Sequence, residues 1–181
     1  MSTKEEKVTT PFTWEDALAC AKEALADAPK VHKGDTIHKR TIRSLLVLTK
    51  WKSTCCRKNR NLIASAPDPD NKLFQFALRD KEEGIVYELK LNTANPMAFI
   101  DKLIRKLIIY NTLQSACNHK NIFISGLAEV IKGDDYHKIS NVYIFAHPKV
   151  VTAYSRPLMV HCFNMIKDKF GVTIIPKSLD E

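Results

Sequence analysis

APDPDNKLFQFALRDKEEGIVYELKLN, Ala66 to Asn92, decides how this chain is read. Two apolar-rich runs flank the charged segment Arg79 to Glu83, which ends in Gly84, the composition of two strands joined by a turn. Leu73 to Leu78 and Ile85 to Leu91 are therefore expected as strands. Side chains alternate between the faces of a strand, so Ile85, Tyr87, Leu89 and Leu91 share one face of the second run, and Val86, Glu88 and Lys90 share the other. A plain hairpin has no need of the two Pro-Asp pairs before its first strand, nor of an acid and a lysine two residues apart near the end of its second.

Outward from the hairpin, the pattern alternates helices and strands. Thr13 can cap a helix through about Asp27, with Glu15 and Asp16 in its first turn. A second helix is expected from about Thr36 to Lys52, burying Ile42, Leu45, Leu46 and Thr49, and the charged run Lys52 to Asn61 is expected as a loop. Pro96 opens a helix to about Ala116 whose Ile100, Leu103, Ile104, Leu107 and Ile108 form the clearest amphipathic stripe in the chain. Asn121 to Leu127 and Asn141 to Ala146 suit buried strands. A last helix follows Ser155-Arg156-Pro157 and ends at Gly171, and Val172 to Ile175 makes the last strand. The expectation is an α/β fold, a mixed central sheet flanked by helices, with residues 1–12 as a flexible tail and 13–181 as one domain.

With 181 residues and 45% hydrophobic content, such a domain buries roughly 70% of its unfolded surface. There is no apolar run of about 18 residues, and the start, MSTKEEKVTTPF, has no apolar signal-peptide core. A soluble, cytoplasmic protein without a membrane partner is expected. Five cysteines, an odd number at irregular spacing, argue for reduced thiols over a disulfide framework. Adjacent Cys55-Cys56 and distant Cys117-Asn118-His119 do not match zinc spacing.

The net charge of +8 is concentrated. Lys30 to Arg60 holds ten basic residues against one acid, Asp35, while the remaining residues sum to about −1. Such a stripe is the footprint of a polyanion partner, because neutralised phosphates release condensed counterions. Lys39, Arg40, Arg43, Arg57, Lys58 and Arg60 are the candidate phosphate contacts. The segment has no excess of aromatic anchors, which argues against a membrane surface.

Three acid-x-lysine triplets occur: Glu5-Glu6-Lys7, Asp70-Asn71-Lys72 and Glu88-Leu89-Lys90. Only the third sets acid and lysine side by side on one strand face. An antiparallel partner can bring Asp70 towards Glu88. Two carboxylates, a backbone carbonyl and waters suit Mg²⁺, and a neighbouring ammonium can serve an attacking water and offset charge on phosphorus.

Pro69 to Lys90, with Pro-Asp, an intervening hairpin and Glu-x-Lys, resembles the signature of the PD-(D/E)XK nuclease superfamily. The resemblance implies a restriction-endonuclease-like αβββαβ core. It also implies a Mg²⁺-dependent DNA endonuclease, with Mn²⁺ substituting, similar to the small type II restriction enzymes and acting on double-stranded DNA as a homodimer. Asp70 and Glu88 would then be metal ligands with the carbonyl of Leu89, and Lys90 the catalytic lysine. Asp68, behind Pro67, competes with Asp70, and Glu15 or Glu23 could add an acid from the first helix. The family's third, edge-building strand is not visible in the sequence. The other readings are a junction-, repair- or RNA-directed nuclease, or a non-catalytic nucleic-acid-binding domain in which Glu88 and Lys90 decorate an exposed strand.

Lys102, Arg105 and Lys106 lie off the apolar stripe of their helix, as phosphate contacts or as its solvated face. His119, His137, His147 and His161 have no partner at motif spacing. Trp51 could stack a base, or close the apolar side of the second helix. No phosphate-binding glycine loop, GxSxG or zinc-protease motif is present, and no organic cofactor is expected.

Overall fold

The computed structural model describes residues 11–65, 76–119 and 138–180, with the helical backbone alone for 113–119. Asp68, Asp70, the expected strand from Asn121 to Leu127 and the start of the strand expected from Leu73 lie outside the described residues.

Two helices lead. In α1, Trp14–Ala26, the Asp16 carboxylate accepts the Thr13 N–H at 2.8 Å, closing the first turn as its spacing implies. In α2, Ile37–Lys58, the Thr36 hydroxyl accepts the Lys39 N–H at 3.3 Å. This helix runs six residues beyond Lys52, so most of the expected loop is helical. Lys52 to Lys58 contains no Gly or Pro, and Thr54 and Cys55 continue the spacing of Val47 and Trp51.

The buried face of α2 also differs from the expected one. Val47, Trp51, Thr54 and Cys55 are buried, whereas Ile42, Leu45, Leu46 and Thr49 are exposed, Leu45 by 59% and Leu46 by 55%. Both sets have helical spacing, so periodicity cannot choose between them. The neighbour chooses: α1 offers the small side chains of Ala17, Ala21 and Ala24, and Trp51 packs there with its indole N–H donated to the Ala17 carbonyl at 3.0 Å.

Five strands form one sheet in the order β1-β2-β3-β4-β5: Leu62–Ala64, Leu78–Asp80, Ile85–Lys90, Asn141–Ala146 and Thr173–Ser178. The first three are antiparallel neighbours, and β3, β4 and β5 run parallel. Arg79 and Asp80, expected in the turn, belong to β2. The turn is Lys81 to Gly84, started by the Asp80 carboxylate accepting the N–H groups of Glu82 and Glu83. Gly84 has φ +65°, its carbonyl accepts the Ser140 N–H at 2.8 Å, and an added Cβ would stand 2.3 Å from the Lys138 carbonyl. That approach ties the start of β3 to the start of β4.

The crossover from β3 to β4 contains α3, Pro96–His119, and that from β4 to β5 contains α4, Pro148–Tyr154, and α5, Pro157–Phe170. The short α4 has no sequence forecast. Gly171, at φ +68°, ends α5 as expected, and β5 continues past Ile175 to Ser178, including Pro176, which an edge strand tolerates. Successive parallel strands stepping the same way with crossovers of one hand place α3, α4 and α5 on one face. There Val86, Val142, Ile144 and Ile174 meet Leu103, Leu107, Val150 and Met159. On the other face Leu78, Tyr87, Leu89 and Phe145 meet α1 and α2. The alternation expected for β3 is observed. Among the described residues no helix is long and apolar enough to cross a membrane.

Candidate active site

Among the described residues the sheet narrows beside Glu88. The β2 ladder covers only Ile85 to Tyr87 of β3, while the β4 ladder continues to Lys90. Glu88, Leu89 and Lys90 thus project beyond β2, paired with β4 alone among the described strands. Glu88 and Lys90 are nevertheless only 7% and 8% exposed, so neither decorates an open strand face.

One Glu88 carboxylate oxygen accepts the Ala77 N–H at 3.2 Å. Burial pushes its carboxyl above the usual range, against the pull of Lys106, the Ala77 N–H and Lys52. Lys106 comes from α3, and Lys52 from α2 donates to the Ser65 carbonyl at 3.2 Å. The Lys90 ammonium donates to the Ala94 carbonyl at 2.9 Å, lies 5.5 Å from the centre of the Phe99 ring, and is lowered in pKa by burial. Burial thus shifts the acid and the lysine, two residues apart on one strand face, each towards its neutral form.

Two further cations at this face were not singled out as site residues by the sequence, or were left open. Arg79, paired in register with Val86, is buried and donates to the Tyr110 hydroxyl at 2.8 Å. Only the register reveals it, because the run Arg79 to Glu83 reads as a turn. Lys106 does carry a signal, standing beside Leu107 and three residues after Leu103 on the buried stripe. Lys102 and Arg105 are exposed, and Arg105 pairs with Asp101 at 3.1 Å.

The six basic candidates separate into two groups at opposite ends of α2, about 28 Å from Lys39 to Lys58 at 1.5 Å per residue. Arg40 and Arg43 line a cavity of about 640 Å³ whose opposite wall is Leu91, Asn92 and Thr93, the chain leaving Lys90. Lys39 lies in a neighbouring recess, and Arg43 donates to the Pro29 carbonyl at 2.7 Å. Arg57, Lys58 and Arg60 line a different cavity.

Glu15 and Glu23 are exposed on α1, which packs on the sheet face opposite Glu88. Trp51 is wholly buried, so it cannot stack a base. His147 caps α4 by accepting the Lys149 N–H at 3.1 Å, His161 is exposed, and the side chains of His119 and His137 lie outside the described residues. Cys20 and Cys55 are buried free thiols, and burial, with Cys20 alongside, pushes the Cys55 thiol up.

Among the described residues no group of three or more His, Cys, Asp or Glu could hold a metal. Glu88 and the Leu89 carbonyl are hard oxygen donors of the kind Mg²⁺ takes, and a further carboxylate for it would come from Asp68 or Asp70. Compared with family models, curated proteins and solved structures, the chain matches none.

Proposed function

We propose that the protein is a metal-dependent phosphodiesterase acting on nucleic acid, a DNA endonuclease with a restriction-endonuclease-like core. The observation that carries this reading is the burial of Glu88 and Lys90 side by side where β3 projects beyond β2. A solvated strand face needs no such burial, and desolvated charges are retained where they have work. The order helix, three antiparallel strands, crossover helix and parallel strand supports the αβββαβ reading.

In this reading Glu88, the Leu89 carbonyl and Asp70 or Asp68 hold Mg²⁺, which when bound supplies Lewis acidity and an activated water. Lys90, lowered by burial, takes or gives a proton at its Nζ. Arg79 and Lys106 bring positive charge to the face where phosphate charge builds, and Arg40 and Arg43 hold the flanking backbone beside Leu91 to Thr93. A symmetric homodimer would let each subunit cut one strand of a duplex.

The test is incubation of purified protein with duplex, single-stranded and branched DNA and with RNA, in Mg²⁺ or Mn²⁺ and in EDTA. Cleavage lost in EDTA and in Asp70→Asn, Glu88→Gln and Lys90→Met is the expected result. Discrete plasmid fragments indicate sequence-specific cutting, and a smear indicates a repair- or RNA-type nuclease. Salt-sensitive binding without cleavage of any substrate would leave a binding domain instead.

A further inference from the structure

A second cavity, of about 760 Å³, opens between the start of α1, the end of α2 and the first residues of β3 and β4. Its volume is in the range of small-molecule sites. It belongs to the sheet face carrying Tyr87, opposite the face carrying Glu88, so it is separate from the candidate active site.

Aromatic rings build one wall. Trp14 stacks on Tyr143 with centroids 5.9 Å apart and planes 15° apart, and Tyr143 stacks on Tyr87 at 5.7 Å and 25°. Phe12 meets Tyr87 edge-on at 6.1 Å, and the Lys177 ammonium lies 4.3 Å from the centre of the Trp14 ring. These rings are fixed by one another before any ligand arrives, so little order remains to be gained on binding.

The opposite rim carries Arg57, Lys58 and Arg60, all exposed, and none forms an ion pair among the described residues. The floor is already satisfied. Asn59 donates to the Asp80 carboxylate at 3.2 Å, and that carboxylate also accepts the Glu82 and Glu83 N–H groups. The exposed Glu83 carboxylate remains as an acceptor on the wall.

We propose that this cavity binds one unpaired nucleotide, its base against the half-buried Trp14 and Tyr143 rings, which the buried Tyr87 ring supports from behind, and its phosphate at Arg57, Lys58 and Arg60. A flat ring joined to an anionic phosphate is the chemistry that uses both walls at once. Every base has a π-face, and guanidinium groups match phosphate oxygens in two-point contacts. Glu83 can accept from an exocyclic amino group. The nucleotide is either free or part of a single strand, and the two sources differ in what they require beyond the one residue.

The intact protein reports on this itself. Trp51 is sealed in the core, so a ligand in the cavity changes the emission of Trp14. Titration in EDTA, which stops cleavage, uses deoxynucleoside monophosphates, ribose 5-phosphate and a ten-residue oligothymidine. Saturable change with mononucleotides assigns a free nucleotide. Change only with the oligonucleotide, weakened about tenfold or more by Tyr143→Ala, assigns an unpaired residue in a strand. Tyr143→Phe is expected to bind as wild type, and Arg60→Ala, on an exposed loop, to weaken binding and flatten its salt dependence. Glu88→Gln is expected to leave binding unchanged, which keeps this site's failure distinct from that of the active-site reading. Equal binding of ribose 5-phosphate, binding unaffected by both Tyr143→Ala and Arg60→Ala, or no binding by calorimetry overturns the proposal.

Discussion

The two faces of β3 are buried to a similar degree by opposite chemistry. Tyr87 and Leu89, 1% and 6% exposed, meet aromatic and aliphatic neighbours from α1, α2 and β4. Glu88 and Lys90, at 7% and 8%, carry charge under cover that shifts both towards their neutral forms. Burying apolar surface stabilises a fold, whereas burying a charge without a matched partner costs stability. Apolar and charged burial are therefore assigned to alternate residues of one strand, the first facing α1 and α2, the second facing Phe99 and Lys106 of α3.

The largest effect expected is on the apolar face. Tyr87→Ala should lower unfolding free energy by about 3–5 kcal/mol in urea denaturation, the usual range for a buried aromatic. A loss under about 1 kcal/mol would mean that this face does not carry the core.

On the charged face the effect moves from stability to rate. Glu88→Gln and Lys90→Met should each slow Mg²⁺-dependent cleavage by roughly 10²–10³-fold while leaving the melting temperature unchanged or raised. Cleavage at wild-type rate in both variants would erase the contrast.

Gly84→Ala tests the frame that both faces share. The positive φ and the 2.3 Å approach to the Lys138 carbonyl should destabilise the protein on the order of 1–3 kcal/mol, and cleavage should fall with the folded fraction. Tolerance of alanine, read from thermal melts, would show that the β3–β4 connection yields.

A smaller effect sharpens the contrast through pH. Burial raises Glu88 above its ordinary value of 4.5, so the folded state keeps a proton that the unfolded state has lost. The sign follows: the residue's favourable contribution is complete below 4.5 and is lost as pH rises through the raised value. Glu88→Gln lacks that titration, so its stability relative to wild type should climb across the window and then level. A pH-independent difference would mean the carboxyl is not desolvated. The smallest effect belongs to a residue on neither face: Arg105→Ala, breaking an exposed pair with Asp101, should change stability by less than about 0.5 kcal/mol.

Much of this was legible in the chain because it is local. The Thr13–Asp16 start of α1, the Gly171 stop of α5, the alternation along β3 and the stripe of α3 from Ile100 to Leu107 follow from spacing and from residue-level preferences, whereas Ile108, expected on that stripe, is exposed. The misreadings share a cause. On α2 two apolar sets compete at helical spacing, and only the small-residue face of α1 selects Val47, Trp51, Thr54 and Cys55 over Ile42, Leu45, Leu46 and Thr49. Three-residue strands such as β1 and β2 are too short to show a period, and Arg79 joins the charged face only through its register with Val86.

By itself the sequence determined which residues of β3 face the same way, because a strand's two-residue repeat is a property of the backbone. It also determined that Glu88 and Lys90 are neighbours and that positive charge gathers between Lys30 and Arg60. Only the tertiary structure decided that the acid and the lysine are buried, that the described β2 ladder stops short of them, and that the six basic candidates divide between the two ends of α2. Those outcomes depend on what a distant segment packs against, and no local preference encodes the identity of that neighbour.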